Sequence, residues 1–171
     1  MTETEIEQLQ QHTEKRQWRD VSTMIEKHQR RKLDGSVFEV LEPLLTVTEY
    51  AIFKTAINMV GKLKNPPAPA FSAVLNAWQN TWTFGCPQCT PEALKALLSL
   101  DANNSAIVTE IKRCLEIDNY QIHKACADAL LKIDTTEARQ VLQDFESFLP
   151  RAYTEKVMVD LLAKIRALAN V

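Results

Sequence analysis

The sequence predicts an all-α fold made of stacked antiparallel helix pairs, and three observations carry that prediction. Apolar residues recur at three- and four-residue spacing in one segment after another, and no stretch shows the alternating β-branched pattern of a strand. The periodic segments run for about 10 to 16 residues and are joined by connectors of about 2 to 5, the cadence of helical hairpins. A weak echo adds direction: Tyr50, Ile52, Lys54, Lys62 and Leu63 recur 70 positions later as Tyr120, Ile122, Lys124, Lys132 and Ile133. Seventy residues hold two helical hairpins, which points to an open solenoid rather than a closed bundle.

The first clear helix runs from about Trp18 to Leu33, with Trp18, Val21, Ile25 and His28 along one side. Arg30, Arg31 and Lys32 suit its C-terminal end, and Asp34-Gly35 breaks it. A short helix over Val37 to Leu45 follows, distorted or cut short by Pro43. Phe53, Ala56, Ile57, Val60 and Leu63 define an amphipathic helix within Glu49 to Lys64, which Pro66-Pro67-Ala68-Pro69 stops. The next helix starts near Pro69 and carries Phe71, Val74, Leu75 and Trp78. Residues 81–91, TWTFGCPQCTP, fit neither regular period and predict an irregular loop.

Leu94, Leu97 and Leu98 mark a helix over Glu92 to Leu100, and Asn104 or Ser105 can cap the one that follows. That helix carries Ile107, Ile111, Cys114 and Leu115; beyond Asp118-Asn119 another carries Ile122, Cys126, Ala129, Leu130 and Ile133. Ala138, Val141, Leu142, Phe145 and Leu149 give the next, and Met158, Leu161, Leu162, Ile165 and Leu168 the last. Residues 1–171 are read as a single helical-repeat domain, with 1–45 an atypical N-terminal cap.

The chain has 171 residues with 46% hydrophobic content, enough for a sizeable core. Three glycines leave almost nothing from which to build phosphate-cradling loops, so Rossmann and P-loop functions drop out. The net charge of -2 offers no overall attraction for nucleic acid. No stretch approaches the roughly 20 apolar residues of a bilayer span, and no basic-then-apolar leader opens the chain. These features lead to the expectation of a cytoplasmic protein with no membrane partner.

The segment DNYQIHKACADALLKIDTTEARQVLQDF, residues 118–145, resembles a HEAT repeat of the variety found in phycobilisome lyases. Ala125, Ala127, Ala129, Leu130, Ile133, Ala138 and Leu142 carry the resemblance; residues 49–78 match more loosely, and the proline-rich corner departs from the pattern. The resemblance implies a short right-handed α-α superhelix of the HEAT/armadillo kind. It also implies a binding scaffold, with bilin handling as the activity of some relatives.

Cys86-Pro87-Gln88-Cys89 has CxxC spacing, so Cys86 and Cys89 are candidates for a metal site or a redox disulfide. A structural zinc needs further ligands, which His12, His28, His123, Cys114 or Cys126 could supply only through the tertiary fold. Trp78, Trp82 and Phe84 either cover the end of the core or anchor a partner. Between His12 and Lys32, seven basic residues face three acidic ones, so Arg30, Arg31 and Lys32 are candidates for meeting an acidic partner. His123 is placed on the outward side of its helix beside Lys124. No catalytic residue and no cofactor is assigned. The expected function is a non-enzymatic protein-protein adaptor; the alternatives are a thiol-dependent or bilin-handling lyase subunit and a nucleic-acid-binding repeat protein.

Overall fold

The computed structural model describes residues 1–83 and 87–148, together with 159, 160, 162, 163 and 167. Among them the regular elements are all helical, and the only strand-like feature is an isolated bridge between Asp34 and Lys64. The chain divides into two compact units, Met1–Leu100 and Asp101–Val171.

The first unit opens with a helix that the apolar period does not announce, α1 (Glu3–Glu14), which buries only Leu9. Its cause is local: Thr2 and Glu5 form a reciprocal capping box that satisfies two amide donors at the helix start. At the far end, Arg16 N–H donates to the Thr13 carbonyl and Gln17 N–H to that of His12, with Arg16 held at φ 53. This is a Schellman closure, with arginine where glycine is favoured. α2 (Trp18–His28) then buries Val21, Ile25 and His28 and packs against α1.

The helix expected over Val37 to Leu45 exists in pieces: a 3-10 turn at Gly35–Val37, α3 (Phe38–Leu41), and a second 3-10 turn at Glu42–Thr46. Pro43 removes a donor there, and the turn tightens around it. α4 (Tyr50–Val60) lies against α2 and the 42–46 turn, burying Ile52, Phe53, Ala56, Ile57, Met59 and Val60. α5 (Pro69–Thr83) follows the prolines, then a 3-10 turn at Pro87–Cys89 and α6 (Thr90–Asp101). The expected 81–91 loop is therefore shorter than its composition suggested, because 81–83 continue α5 and Thr90 begins α6; 84–86 lie outside the described residues.

The second unit contains α7 (Ser105–Leu115), α8 (Tyr120–Leu130), α9 (Thr136–Gln143) and a 3-10 turn at Phe145–Phe148. Asn104, Asn119 and Thr135 cap the three helices through their side-chain oxygens. The helix expected over 158–168 falls mostly outside the described residues.

The 70-residue echo is structural and longer than the sequence identities that announce it. Positions 37–48 and 51–61 share burial class, residue by residue, with 107–118 and 121–131. Val37, Phe38, Val40, Leu41, Leu44 and Leu45 correspond to Ile107, Val108, Glu110, Ile111, Cys114 and Leu115, all buried. The helix ends close alike. Gly61, Lys62 and Leu63 donate to the carbonyls of Ile57, Met59 and Val60, as Leu131, Lys132 and Ile133 do to those of Ala127, Ala129 and Leu130. Each copy is then tied back 31 residues: Lys64 N–H donates to Leu33 O at 2.8 Å, and Asp134 N–H to Asn103 Oδ1 at 3.2 Å.

The copies part where chemistry requires it. Arg113 replaces Pro43, so α7 runs unbroken where the first copy is segmented. Arg113 also holds both carboxylate oxygens of buried Glu110, at 2.9 and 3.2 Å, where the first copy has Val40. Phe53 becomes His123, which is buried rather than outward as the sequence suggested. The spacing of His123, Cys126, Ala127 and Leu130 puts them on one inward face, and the ring reaches Leu115 O through Nε2 at 3.2 Å.

Candidate functional site

The first unit carries a cleft of about 590 Å³, within the roughly 300–1,000 Å³ of ordinary ligand sites. Its buried lining comes from Leu45, Phe53, Ala77 and Cys89, and its exposed lining from Thr48, Tyr50 and Asn80. Pro43 and the irregular segment after it set this shape, because the 42–46 turn carries Leu45 inward and leaves 46–48 as one wall. Two of the threonines are committed locally: Thr46 donates to Pro43 O at 2.9 Å, and Thr81 to Trp78 O at 2.6 Å. The cleft surface is thus apolar within and polar at its opening.

Beside it, Lys54 ties α4 to α6 through Glu92 at 2.7 Å and lies 5.8 Å from the centre of the Tyr50 ring. The hydrogen bond to Glu92 is the main cause raising the Lys54 pKa above its ordinary value. The other Glu92 oxygen, Oε2, is buried without a hydrogen-bond partner among the described residues.

A second hollow of about 360 Å³ borders the same 46–48 wall. Thr13, Arg16, Trp18, Pro43 and Glu49 complete it. Arg16 is exposed, and among the described residues its guanidinium forms no ion pair.

A separate ionic cluster fastens α1 to α2. Glu5 Oε1 accepts from Lys27 Nζ at 2.7 Å and lies 3.3 Å from His28 Nε2. The Lys27 hydrogen bond, with help from Thr2, lowers the Glu5 pKa to about 2. His28 is 2% exposed, and its Nδ1 has no hydrogen-bond partner among the described residues. Burial lowers the pKa of this ring despite the carboxylate beside it.

The residues singled out from sequence are scattered. Trp78 is fully buried, its indole N–H donating to Thr90 Oγ1 at 3.2 Å, so it serves the core rather than offering a surface. Cys89 is buried in the cleft wall and is not disulfide-bonded. Phe84, Cys86 and the side chain of Trp82 lie outside the described residues. Arg30, Arg31 and Lys32 are exposed in the turn after α2. Cys114 and Cys126 are buried together, and their mutual hydrogen bond together with burial raises the Cys126 pKa well above the ordinary thiol value.

Among the described residues, no three His, Cys, Asp or Glu side chains converge as metal ligands, and no helix is long and apolar enough to cross a membrane. Sequence reasoning missed Arg16, Thr48 and Asn80, which belong to corners and helix ends with no period to mark them. No protein-family model, curated protein or solved structure matches the chain.

Proposed function

We propose that this protein is a non-enzymatic helical-repeat scaffold whose exposed surface binds another protein. The observation that supports the reading is a burial pattern shared by two copies whose exposed side chains differ. Positions 70 residues apart keep the same burial class in both copies, and the exposed ones carry different side chains: Glu42 stands opposite Lys112, Pro43 opposite Arg113, Thr46 opposite Glu116, and Ala51 opposite Gln121. Repeat folds use this division, with a common packing face and a varied surface for recognition. A HEAT-like superhelix is the architecture this reading favours.

The test is capture of the tagged full-length chain from its source cells at moderate salt, followed by mass spectrometry. A specific companion at near-stoichiometric amount is expected. Recovery with a coloured adduct or nucleic acid and no protein companion would overturn the scaffold reading.

A further inference from the structure

We infer that α1 is an exchangeable element: two copies of the chain form a dimer in which α1 and α2 run on as one helix and each α1 takes the other copy's seat. Exchange of this kind does not require the surface to bind any other protein.

The occupant of the seat is α1 itself, which lies against α2 and α3. Its hold is slight. Of its 12 residues only Leu9 is buried. Polar ties to the next helix join Glu5 to Lys27 and His28 near one end, and His12 to Gln17 and Asp20 near the other.

The turn between the two helices carries the strain. Lys15, Arg16 and Gln17 are all good helix formers, and residues 1–34 contain neither glycine nor proline. Arg16 is nevertheless held at φ 53, a left-handed conformation that is costly for a residue with a Cβ. Local preference therefore carries the helix through residue 16, and the closed fold turns it back. A short hinge under strain is what favours exchange between copies.

The hairpin contacts show that a continuous helix has the right shape for the exchange. Glu5 meets Lys27 and His12 meets Asp20, so both pairs are centred on residue 16. In a helix running from Glu3 to His28, Glu5, Leu9, His12, Arg16, Asp20 and Lys27 fall on one stripe about 80° wide, at about 100° per residue. The side that α1 turns toward α2 and the side that α2 turns toward α1 thus become one face. Two such helices laid antiparallel cross at residue 16, and the same contacts reappear between chains, Glu5 of one copy with Lys27 of the other.

Local charge neither drives nor blocks the change. In the continuous helix Arg16 gains Asp20 one turn on, while Lys15 meets Arg19 at the same spacing. The two Arg16 side chains approach at the crossing, but Arg16 is exposed and solvent screens the repulsion.

The test is refolding of the full chain from denaturant over a range of protein concentrations, followed by size-exclusion chromatography with light scattering. A monomer and a dimer are expected, with the dimer fraction rising with concentration. Arg16→Gly relieves the closed turn and weakens the continuous helix, whereas Arg16→Ala keeps the strain and strengthens the helix. Each hinge is then worth about tenfold between the variants, and a dimer has two. Their dimer dissociation constants should differ by about a hundredfold, with alanine the tighter.

The exchange itself is read from an equal mixture of isotope-labelled and unlabelled chains, refolded together and treated with a carbodiimide. The reagent joins the Glu5 carboxylate to the Lys27 amine as an amide with loss of water. In the dimer fraction about half of the linked peptides should carry both isotopic forms. Failure of both variants to dimerise at any concentration would overturn the exchange. So would a dimer whose Glu5 to Lys27 links all lie within one isotopic form, since another surface would then hold it. Equal dimer affinity of Arg16→Gly and Arg16→Ala would remove the hinge and overturn the inference as well.

Discussion

Replacing Gly61 with alanine sets two known effects against each other, and the structure decides between them. Gly61 caps α4 at φ -64 and ψ -11, a conformation that alanine adopts without strain. Considered alone, the substitution would restrict the unfolded chain and stabilise the protein by about 0.4–1 kcal/mol. The added methyl, however, would stand 2.6 Å from Ala96 Cα and 2.7 Å from Ala96 Cβ. The nearest atom is backbone, so no rotamer change relieves it and α4 must move from α6. Such overpacking costs about 1–3 kcal/mol.

A 2.6 Å approach to backbone puts the cost in the upper part of that range, so overpacking wins, and Gly61→Ala should destabilise by about 1–2 kcal/mol, which lowers the melting temperature by about 2–8 °C in a chain of this size. Thermal melts followed by circular dichroism measure it. Leu131→Ala is the informative control, because the second copy carries a half-buried leucine at the corresponding position and should lose little. An unchanged or raised melting temperature in Gly61→Ala would refute the close approach of α4 and α6.

Four further outcomes follow from the same geometry. His28 and His123 are buried with pKa values lowered by desolvation, so they bind protons more readily when unfolded; the stability they contribute is complete above their unfolded value of 6.5 and is lost as pH falls below it. Urea titrations at pH 7.5 and 5.5 should show that loss, and a His28→Gln, His123→Gln double variant should flatten it. Trp78→Phe should cost about 1–3 kcal/mol, since Thr90 loses its indole donor and the space is incompletely filled; chemical denaturation tests it. Cys114 and Cys126 should resist Ellman's reagent in the native protein and react at the rate of unfolding, which time courses at rising urea would reveal. Asn119→Ala should cost about 1 kcal/mol through loss of its bonds to the Gln121 and Ile122 amides, measured in the same melts.

The helical elements were legible because burial imposes a period, and the least legible features are those made by single residues. Phe53, Ile57 and Val60 announce α4, but α1 buries only Leu9 and rests on a two-residue capping box, so hydrophobic spacing could not show it. Pro43 revealed that something breaks near 43 without revealing that the break carries Leu45 to the floor of a cleft. His123 is buried although its polarity and its neighbour Lys124 suit the surface; the inward face it shares with Cys126 and Leu130 is written in its spacing. Arg16 and Asn80 were invisible to pattern reading, since their importance depends on which other segments fold beside them. Trp78 was readable either way until its bond to Thr90 placed it inside.

The comparison of the two copies shows how one packing pattern is given two chemistries. At matching positions the first copy has Val40, Pro43 and Phe53, and the second has Glu110, Arg113 and His123. The first set is apolar and breaks its helix; the second is polar and internally paired, with Arg113 serving both as a helix residue and as the counterion of Glu110. Removing Arg113 alone would take from the buried Glu110 carboxylate the guanidinium that holds both its oxygens, whereas Glu110→Val with Arg113 retained would restore the inward surface of the first copy. Arg113→Ala should therefore be the more damaging of the two substitutions, even though Arg113 is the more exposed partner at 54% against 6%. Equal losses, or a greater loss from Glu110→Val, would show that the second copy depends on the carboxylate itself and that equivalence of the inward positions stops at burial.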